Sequence, residues 1–174
     1  YCRSGDIWVY NYDLEAKKSI HKKLIHDFGN ANCPNLLPNG DIVFASDFGD
    51  KSSSIYIFKS SFVNNLTNLS PQKLDISGYC VAPSYCAKNN KIVYSKRVDG
   101  FMQLFTYDLT NGREQQLTFK SGNKIDACWS PCGNYVLFCY QDKTISRIAR
   151  LHVNIKDIVF VTPITDFCSY PAWS

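Results

Sequence analysis

Short runs of apolar and aromatic residues recur along the chain, separated by polar turn residues. Runs such as 92–94 and 136–138 consist of β-branched, aromatic and other apolar residues, a composition that favours strands. The turns at 38–41 and 131–134 contain the Pro, Asn and Gly residues that tight hairpins need. No segment has the sustained apolar period of an amphipathic helix. The pattern therefore predicts an all-β chain built from short strands.

A sequence repeat organises these strands. Residues 82–95 and 126–139 align without a gap at a spacing of 44 residues, and a further 44 residues lead to Pro171. A copy at 33–45, one residue shorter in its turn, lies 49 residues upstream of the 82–95 copy. The Ser- and Asn-rich stretch 60–70 accounts for this longer spacing. One structural unit is therefore expected to occur several times in the chain.

Each copy of the repeat predicts four strands in the same order, with a tight turn between the first two. Four short strands in every ~40–45 residues are typical of a β-propeller blade. We predict an all-β propeller of about three and a half four-stranded blades, part of a larger, six-bladed ring. The N-terminus is expected to supply strands three and four of a blade, and residues 170–174 a first strand alone. The predicted blades in this single domain, 1–174, are 1–26 (partial), 31–76, 80–118, 125–162 and 168–174 (partial).

Composition and charge exclude several classes of protein. The 174 residues are 45% apolar, which fits a folded domain and argues against disorder. The longest apolar run, 135–140, is much shorter than the ~18 residues of a spanning helix. The net charge is +4, and the basic residues are scattered. We therefore expect neither a nucleic-acid partner nor insertion into a membrane.

The chain contains residues that could carry chemistry, but their spacing does not support it. Eight cysteines permit disulfides and leave the redox state open, although their positions favour small buried thiols. Cys128 and Cys132 have no second ligand pair nearby, so we expect no metal and no cofactor. The triplets 27–29 and 47–49 spell the Asp-Phe-Gly motif of kinases without its companion motifs, and we expect turns there. No nucleophile elbow occurs, and we predict no catalytic residues.

Three segments resemble the WD-like repeat of the TolB family, the periplasmic propellers of the Tol-Pal system in Gram-negative bacteria. They are 100–112, 127–134 and Pro171-Ala172-Trp173-Ser174, which follow the family patterns I-Y-x-x-D-L-x-x-G and P-x-W-S-P-D-G. Cys132 replaces the Asp of the family repeat, and 35–37 lacks the Trp-Ser pair. Related repeats also occur in the propeller caps of prolyl-oligopeptidase-like peptidases.

The resemblance implies a non-enzymatic periplasmic scaffold. Such a protein binds the peptidoglycan-associated lipoprotein Pal and supports outer-membrane integrity and invagination during cell division. In the family, contact with TolA involves an N-terminal domain that is absent from these residues. The alternative is the propeller cap of a serine peptidase of the prolyl-oligopeptidase type. A third interpretation, a sugar-binding propeller, is favoured if Trp8 or another aromatic side chain is exposed at the central channel.

The binding surface is predicted from propeller geometry. In a propeller, the loops from strand four to the next strand one converge with the loops between strands two and three. Loops on a rigid scaffold commonly carry recognition, and interfaces usually combine aromatic anchors with a polar rim. We therefore predict a protein partner at this end. The residues expected to contact it lie at the start of the first strands: Asn32, Tyr79, Asn123, Lys124, Asp126 and Tyr170.

Overall fold

The computed structural model describes residues 1–49, 52–59 and 71–173, and every regular element within these ranges is a β-strand. The strands form four antiparallel sheets, one of three strands and three of four strands. No helix in the described residues is long and apolar enough to cross a membrane. The stretch 60–70, which was expected to hold the extra residues of the 33–45 repeat, lies outside the described residues.

The first sheet has one strand more than expected. It consists of β1 (Cys2–Arg3), β2 (Asp6–Asp13) and β3 (Lys18–Ile25), in that order. The prediction of only two strands here was wrong because a two-residue turn, Ser4-Gly5, joins β1 to β2. Both turn residues have positive φ, 52° and 79°, as the tightest hairpin turns require.

The other three sheets are simple meanders in which successive strands are neighbours. The second sheet contains β4 (Asn32–Leu36), β5 (Ile42–Ser46), β6 (Ser54–Phe58) and β7 (Gln72–Lys73). The third contains β8 (Cys80–Cys86), β9 (Lys91–Val98), β10 (Phe101–Asp108) and β11 (Glu114–Gln116). The fourth contains β12 (Asn123–Trp129), β13 (Tyr135–Asp142), β14 (Ile145–His152) and β15 (Ile158–Phe160).

Successive sheets pack face to face, with one apolar cluster in each of the three gaps. The sequence of strand β9 is apolar at consecutive positions because a neighbouring sheet covers each of its two faces. Ile92 and Tyr94 pack against the second sheet, whereas Val93 packs against the fourth. The innermost strands β4, β8 and β12 also contact one another in chain order. This radial stacking confirms the predicted β-propeller fold.

Each innermost strand carries a β-bulge at the same point of the repeat. The pairing register shifts between Asn32 and Asn35 in β4, between Val81 and Ser84 in β8, and between Ile125 and Cys128 in β12. Cys33, Ala82 and Asp126 stand at these bulges with φ of 49°, 51° and 53°. Tyr170, 44 residues beyond Asp126, has φ of 52°. A bulge bends its strand, and the shared φ shows that all four copies of the repeat bend alike.

The C-terminal segment lies in the place of a first strand without being one. The structure shows no strand in 161–173, contrary to the expectation for residues 170–174, and Ser174 is outside the described residues. Trp173 nevertheless donates its indole N–H to the Cys128 carbonyl at 3.3 Å, as Trp129 does to Ser84 at 3.1 Å. A strand needs a hydrogen-bonded neighbour, and the described residues provide no second strand beside this segment.

The outermost sheets present open faces. In the first sheet, Ile7 and Ile25 are buried against the second sheet, but Tyr10, Tyr12 and Ile20 along the same hairpin are exposed. Such open faces are those expected of an arc of a larger ring.

Candidate protein-binding face

One end of the stacked sheets gathers the loops that the sequence analysis assigned to binding. Cys80 at the start of β8 pairs with Lys96 near the end of β9. Leu117, just after β11, donates its N–H to the Leu104 carbonyl near the start of β10. We call this end the loop face. Its described loops are 4–5, 26–31, 47–49, 52–53, 74–79, 99–100, 117–122, 143–144 and 161–170.

The two Asp-Phe-Gly triplets lie in loops and pack against each other at the junction of the first and second sheets. The rings of Phe28 and Phe48 stack with their centroids 3.8 Å apart. Phe28 is buried in the apolar cluster, whereas Phe48 is 42% exposed. The Tyr56 hydroxyl donates to the Phe48 carbonyl at 2.6 Å. Phe48 is therefore an exposed aromatic side chain whose position is already fixed in the unbound protein.

Asp47 ties these two loops together electrostatically. Its carboxylate accepts hydrogen bonds from the backbone N–H and the side-chain amide of Asn30, both at 2.7 Å. These bonds, the backbone one foremost, hold the pKa of Asp47 below its ordinary value. The carboxylate is thus ionised at neutral pH and contributes negative charge to the loop face.

Gly29 is required where these loops meet. Its φ is 63°, and a Cβ there would lie 2.4 Å from Asp47 Oδ1 and 2.8 Å from the Phe48 nitrogen. We expect Gly29→Ala to lower the free energy of unfolding by about 2 kcal/mol, from backbone strain together with this clash. Gly49→Ala is the matched control, since Gly49 also has positive φ but nothing within 4 Å of its Cβ position.

The control should lose only about 1 kcal/mol, the conformational cost alone. Urea denaturation of both variants measures the difference. Equal losses would show that the contact between the two loops does not constrain Gly29.

A polar cavity of about 240 Å³ opens at the loop face between the second and third sheets. It brings together two residues predicted from the sequence, Asn32 and Tyr79. The buried hydroxyl of Ser53, which lines the cavity, has no hydrogen-bond partner among the described residues. A buried hydroxyl without a partner is costly, so this cavity suits a polar group from a binding partner. The lining residues are Asn30, Asn32, Asp47, Ser52, Ser53, Tyr79 and Val81.

The side chain of Lys124 is buried and does not reach the surface of the loop face. Its side chain is 1% exposed, and its ammonium donates to the backbone carbonyls of Lys120, Ser121 and Gly122, the last two at 2.8 and 2.9 Å. Burial lowers the pKa of Lys124 to about 8, and the Asp142 carboxylate opposes this shift. The three carbonyl contacts favour the charged form. Lys124 therefore shapes the loop 120–122 and does not offer its charge at the surface.

The remaining predicted residues differ in their exposure. Asn123 accepts a hydrogen bond from the Met102 N–H at 2.9 Å and joins β12 to β10. Asp126 is half-buried at its bulge, and burial raises its pKa. Tyr170 is 79% exposed. The structure thus places Asn32 and Tyr79 in one cavity, leaves Tyr170 at the surface, and uses Asn123 and Lys124 for internal contacts.

Four exposed phenylalanines on the loop face were missed by the sequence analysis. Phe48, Phe119 and Phe167 lie in loops after strand two or strand four of a sheet, and Phe101 is the first residue of β10, directly after such a loop. Phe101 and Phe119 line a second cavity of about 330 Å³. A count of aromatic residues in the predicted loops would have found these phenylalanines, because most other aromatic residues of the chain lie in strands and turns. The four are Phe48, Phe101, Phe119 and Phe167.

The burial of the cysteines also differs in part from expectation. All eight cysteines are free thiols. Cys80, Cys86 and Cys139 are buried as expected. Cys33 and Cys132 are exposed because they stand at a bulge and a turn, and Cys2 is exposed on β1. Within the described residues, no three His, Cys, Asp or Glu side chains cluster as metal ligands.

Trp8 does not line the centre of the arc. It lies on β2, two strands outward from the position of an innermost strand, and it is half-buried. The cationic groups of Lys23 and Arg3 stand 5.4 and 5.8 Å from its ring. The position of Trp8 therefore does not favour a sugar-binding propeller.

No protein-family model and no curated protein matches the sequence of this chain. Solved structures do match its fold. TolB of Acinetobacter baumannii is 19% identical with a TM-score of 0.67, over 88% of this chain and 37% of that one. A putative TolB of Agrobacterium tumefaciens is 17% identical with a TM-score of 0.68, over 95% of this chain and 65% of that one. This chain therefore spans less than two thirds of either.

Peptidases match equally well. A puromycin-hydrolyzing peptidase of Mycobacterium tuberculosis is 12% identical with a TM-score of 0.68, over 96% of this chain and 25% of that one. At these identities the similarity concerns the fold. The chain therefore has a TolB-like β-propeller fold, which it shares with the propellers of peptidases.

Proposed function

We propose that this chain belongs to a non-enzymatic propeller that binds a protein partner through the loop face. Two observations on the loop face carry the proposal: the four exposed phenylalanines, and the polar cavity that Asn32 and Tyr79 line. Phe48 is fixed by its stack on Phe28, so little side-chain entropy is lost when a partner covers it. Aromatic anchors surrounded by polar groups are the usual arrangement of binding hot spots.

The lipoprotein Pal is the partner that the resemblance to the TolB family favours. On this proposal the protein is periplasmic and supports outer-membrane integrity and invagination during cell division. Contact with TolA would involve a domain outside these residues. The ionised carboxylate of Asp47 and the amide of Asn32 at the cavity suit a polar or basic side chain of the partner.

We expect Phe48→Ala and Tyr79→Ala, made in the full-length protein, each to weaken binding of the Pal periplasmic domain by tenfold or more. Tenfold corresponds to about 1.4 kcal/mol, within the range of an aromatic hot spot. Isothermal titration calorimetry measures the affinities. Ile155→Ala is the matched control, since Ile155 is an exposed apolar residue at the opposite end of the fourth sheet.

The outcomes separate three cases. Weaker binding for both loop-face variants and unchanged binding for the control support the proposal. Equal affinity for all variants would place the Pal site elsewhere. No binding of Pal to the unaltered protein, with a hydrolase domain encoded beside the propeller, would support the alternative, a peptidase cap. That alternative rests on the match to the M. tuberculosis peptidase.

A further inference from the structure

Two exposed cysteines from neighbouring sheets lie side by side. Cys2 is on β1 of the first sheet, and Cys33 is at the bulge of β4 in the second sheet. Cα atoms of these two strands come within 8 Å of each other. The backbone N–H of Cys33 lies within hydrogen-bonding reach of the Cys2 sulfur. The two thiol groups are therefore neighbours in the fold although 31 positions separate them in the sequence.

The backbone around the pair holds it in place. The Ala31 N–H donates to the Gly5 carbonyl at 2.9 Å, which fixes the β1–β2 turn against the start of β4. The bulge then places Cys33 at a φ of 49°, a conformation that the surrounding structure must maintain. Disulfides form between residues whose backbones are already close, and these contacts hold β1 and β4 together beside the pair.

We propose that Cys2 and Cys33 form a disulfide that cross-links the first and second sheets when a small-molecule disulfide such as oxidised glutathione is the oxidant. One cysteine thiolate attacks oxidised glutathione, and the resulting mixed disulfide releases one glutathione thiolate. The second cysteine, after losing its proton, attacks the protein sulfur of the mixed disulfide and releases the second glutathione. Two protein thiols are oxidised, and one glutathione disulfide is reduced to two thiols.

Proximity, and not intrinsic reactivity, selects this pair. Partial burial of the sulfur raises the pKa of both Cys2 and Cys33, and the Asp126 carboxylate adds to the effect on Cys33. In contrast, a hydrogen bond with Ser130 lowers the pKa of exposed Cys132. Cys132 should therefore react first with a general thiol reagent, whereas the pair should form the intramolecular bond.

The cross-link would strengthen the attachment of the first sheet to the second. The two sheets meet through apolar contacts that include Ile7, Ile25 and the Phe28 loop. A covalent bond from β1 to the innermost strand β4 adds a second attachment. We therefore expect oxidation to slow proteolysis within the first sheet.

Peptide mapping of the full-length Cys132→Ser protein tests the proposal. After incubation with oxidised glutathione, thiols are blocked and the protein is digested with trypsin without reduction. We expect the peptide ending at Arg3 to be linked to the peptide 24–51, in which Cys33 is the one cysteine. Mass spectrometry should lose this linked species after treatment with dithiothreitol.

Serine variants provide the controls. Cys2→Ser and Cys33→Ser should each abolish the linked species and leave the other cysteine carrying glutathione. Reduced samples of both variants should melt like the reduced parent, which separates loss of the bond from loss of the fold. Glutathione on both Cys2 and Cys33 of the parent, with no linked species, would overturn the proposal, and this readout needs no variant.

Discussion

Replacement of Trp129 by alanine is expected to lower the free energy of unfolding by about 3–5 kcal/mol, the range for removing a large buried aromatic side chain. Trp129 is 7% exposed and packs in the apolar cluster between the third and fourth sheets. Its indole N–H also donates to the Ser84 carbonyl of the neighbouring innermost strand at 3.1 Å. The substitution therefore leaves a cavity and removes a bond between two sheets.

Trp173 provides a matched control for Trp129. It occupies the same position of the next repeat and donates to the Cys128 carbonyl at 3.3 Å. Trp173 is only half-buried because no described strand covers its other side. Trp173→Ala should therefore lose less than half as much stability in urea denaturation. Similar losses for the two variants would contradict the assignment of Trp129 to a closed core.

Replacement of Lys124 by methionine is expected to cost about 2–4 kcal/mol near neutral pH, since each buried acceptor left unpaired costs about 1–3 kcal/mol. The ammonium group of Lys124 donates hydrogen bonds to three backbone carbonyls of the loop 120–122. Methionine keeps much of the packing volume but donates no hydrogen bond. Relaxation of the loop toward solvent recovers part of the loss, which is why the three costs do not add in full.

Lys88→Met is the control for this substitution, because Lys88 is exposed in the β8–β9 turn. Surface substitutions of this kind stay within about 0.5 kcal/mol of the parent. Chemical denaturation with both variants gives the comparison. If Lys124→Met loses no more stability than Lys88→Met, water replaces the ammonium group at the three carbonyls and the expectation is wrong.

The repeat in the sequence predicts the fold because each copy encodes a complete set of local signals. Pro38, Gly40 and Gly133 stand in turns, while runs such as 92–94 can pack on both faces. A sheet with two apolar faces needs a neighbour on each side, so radial stacking follows from the local pattern. The resemblance to TolB depends on the same positions, which is why it extends to the fold and not further.

Only part of the candidate site could be predicted from the sequence, and the reason is physical. Asn32 and Tyr79 were found because their place before a first strand follows from the repeat. Lys124 stands at an equivalent place, but the direction of its side chain depends on three carbonyls of one loop. Phe48 was missed because its exposure depends on the stack with Phe28 from a different sheet.

Local sequence signals are sufficient for the strands, the turns and the stacking of repeats, because these depend on residues close together in the chain. Contacts between loops of different sheets depend on distances that the assembled sheets set. The stacked Phe28 and Phe48, the enclosed Lys124 and the neighbouring thiols of Cys2 and Cys33 all belong to this second group. They arise where residues far apart in sequence meet after the sheets have packed.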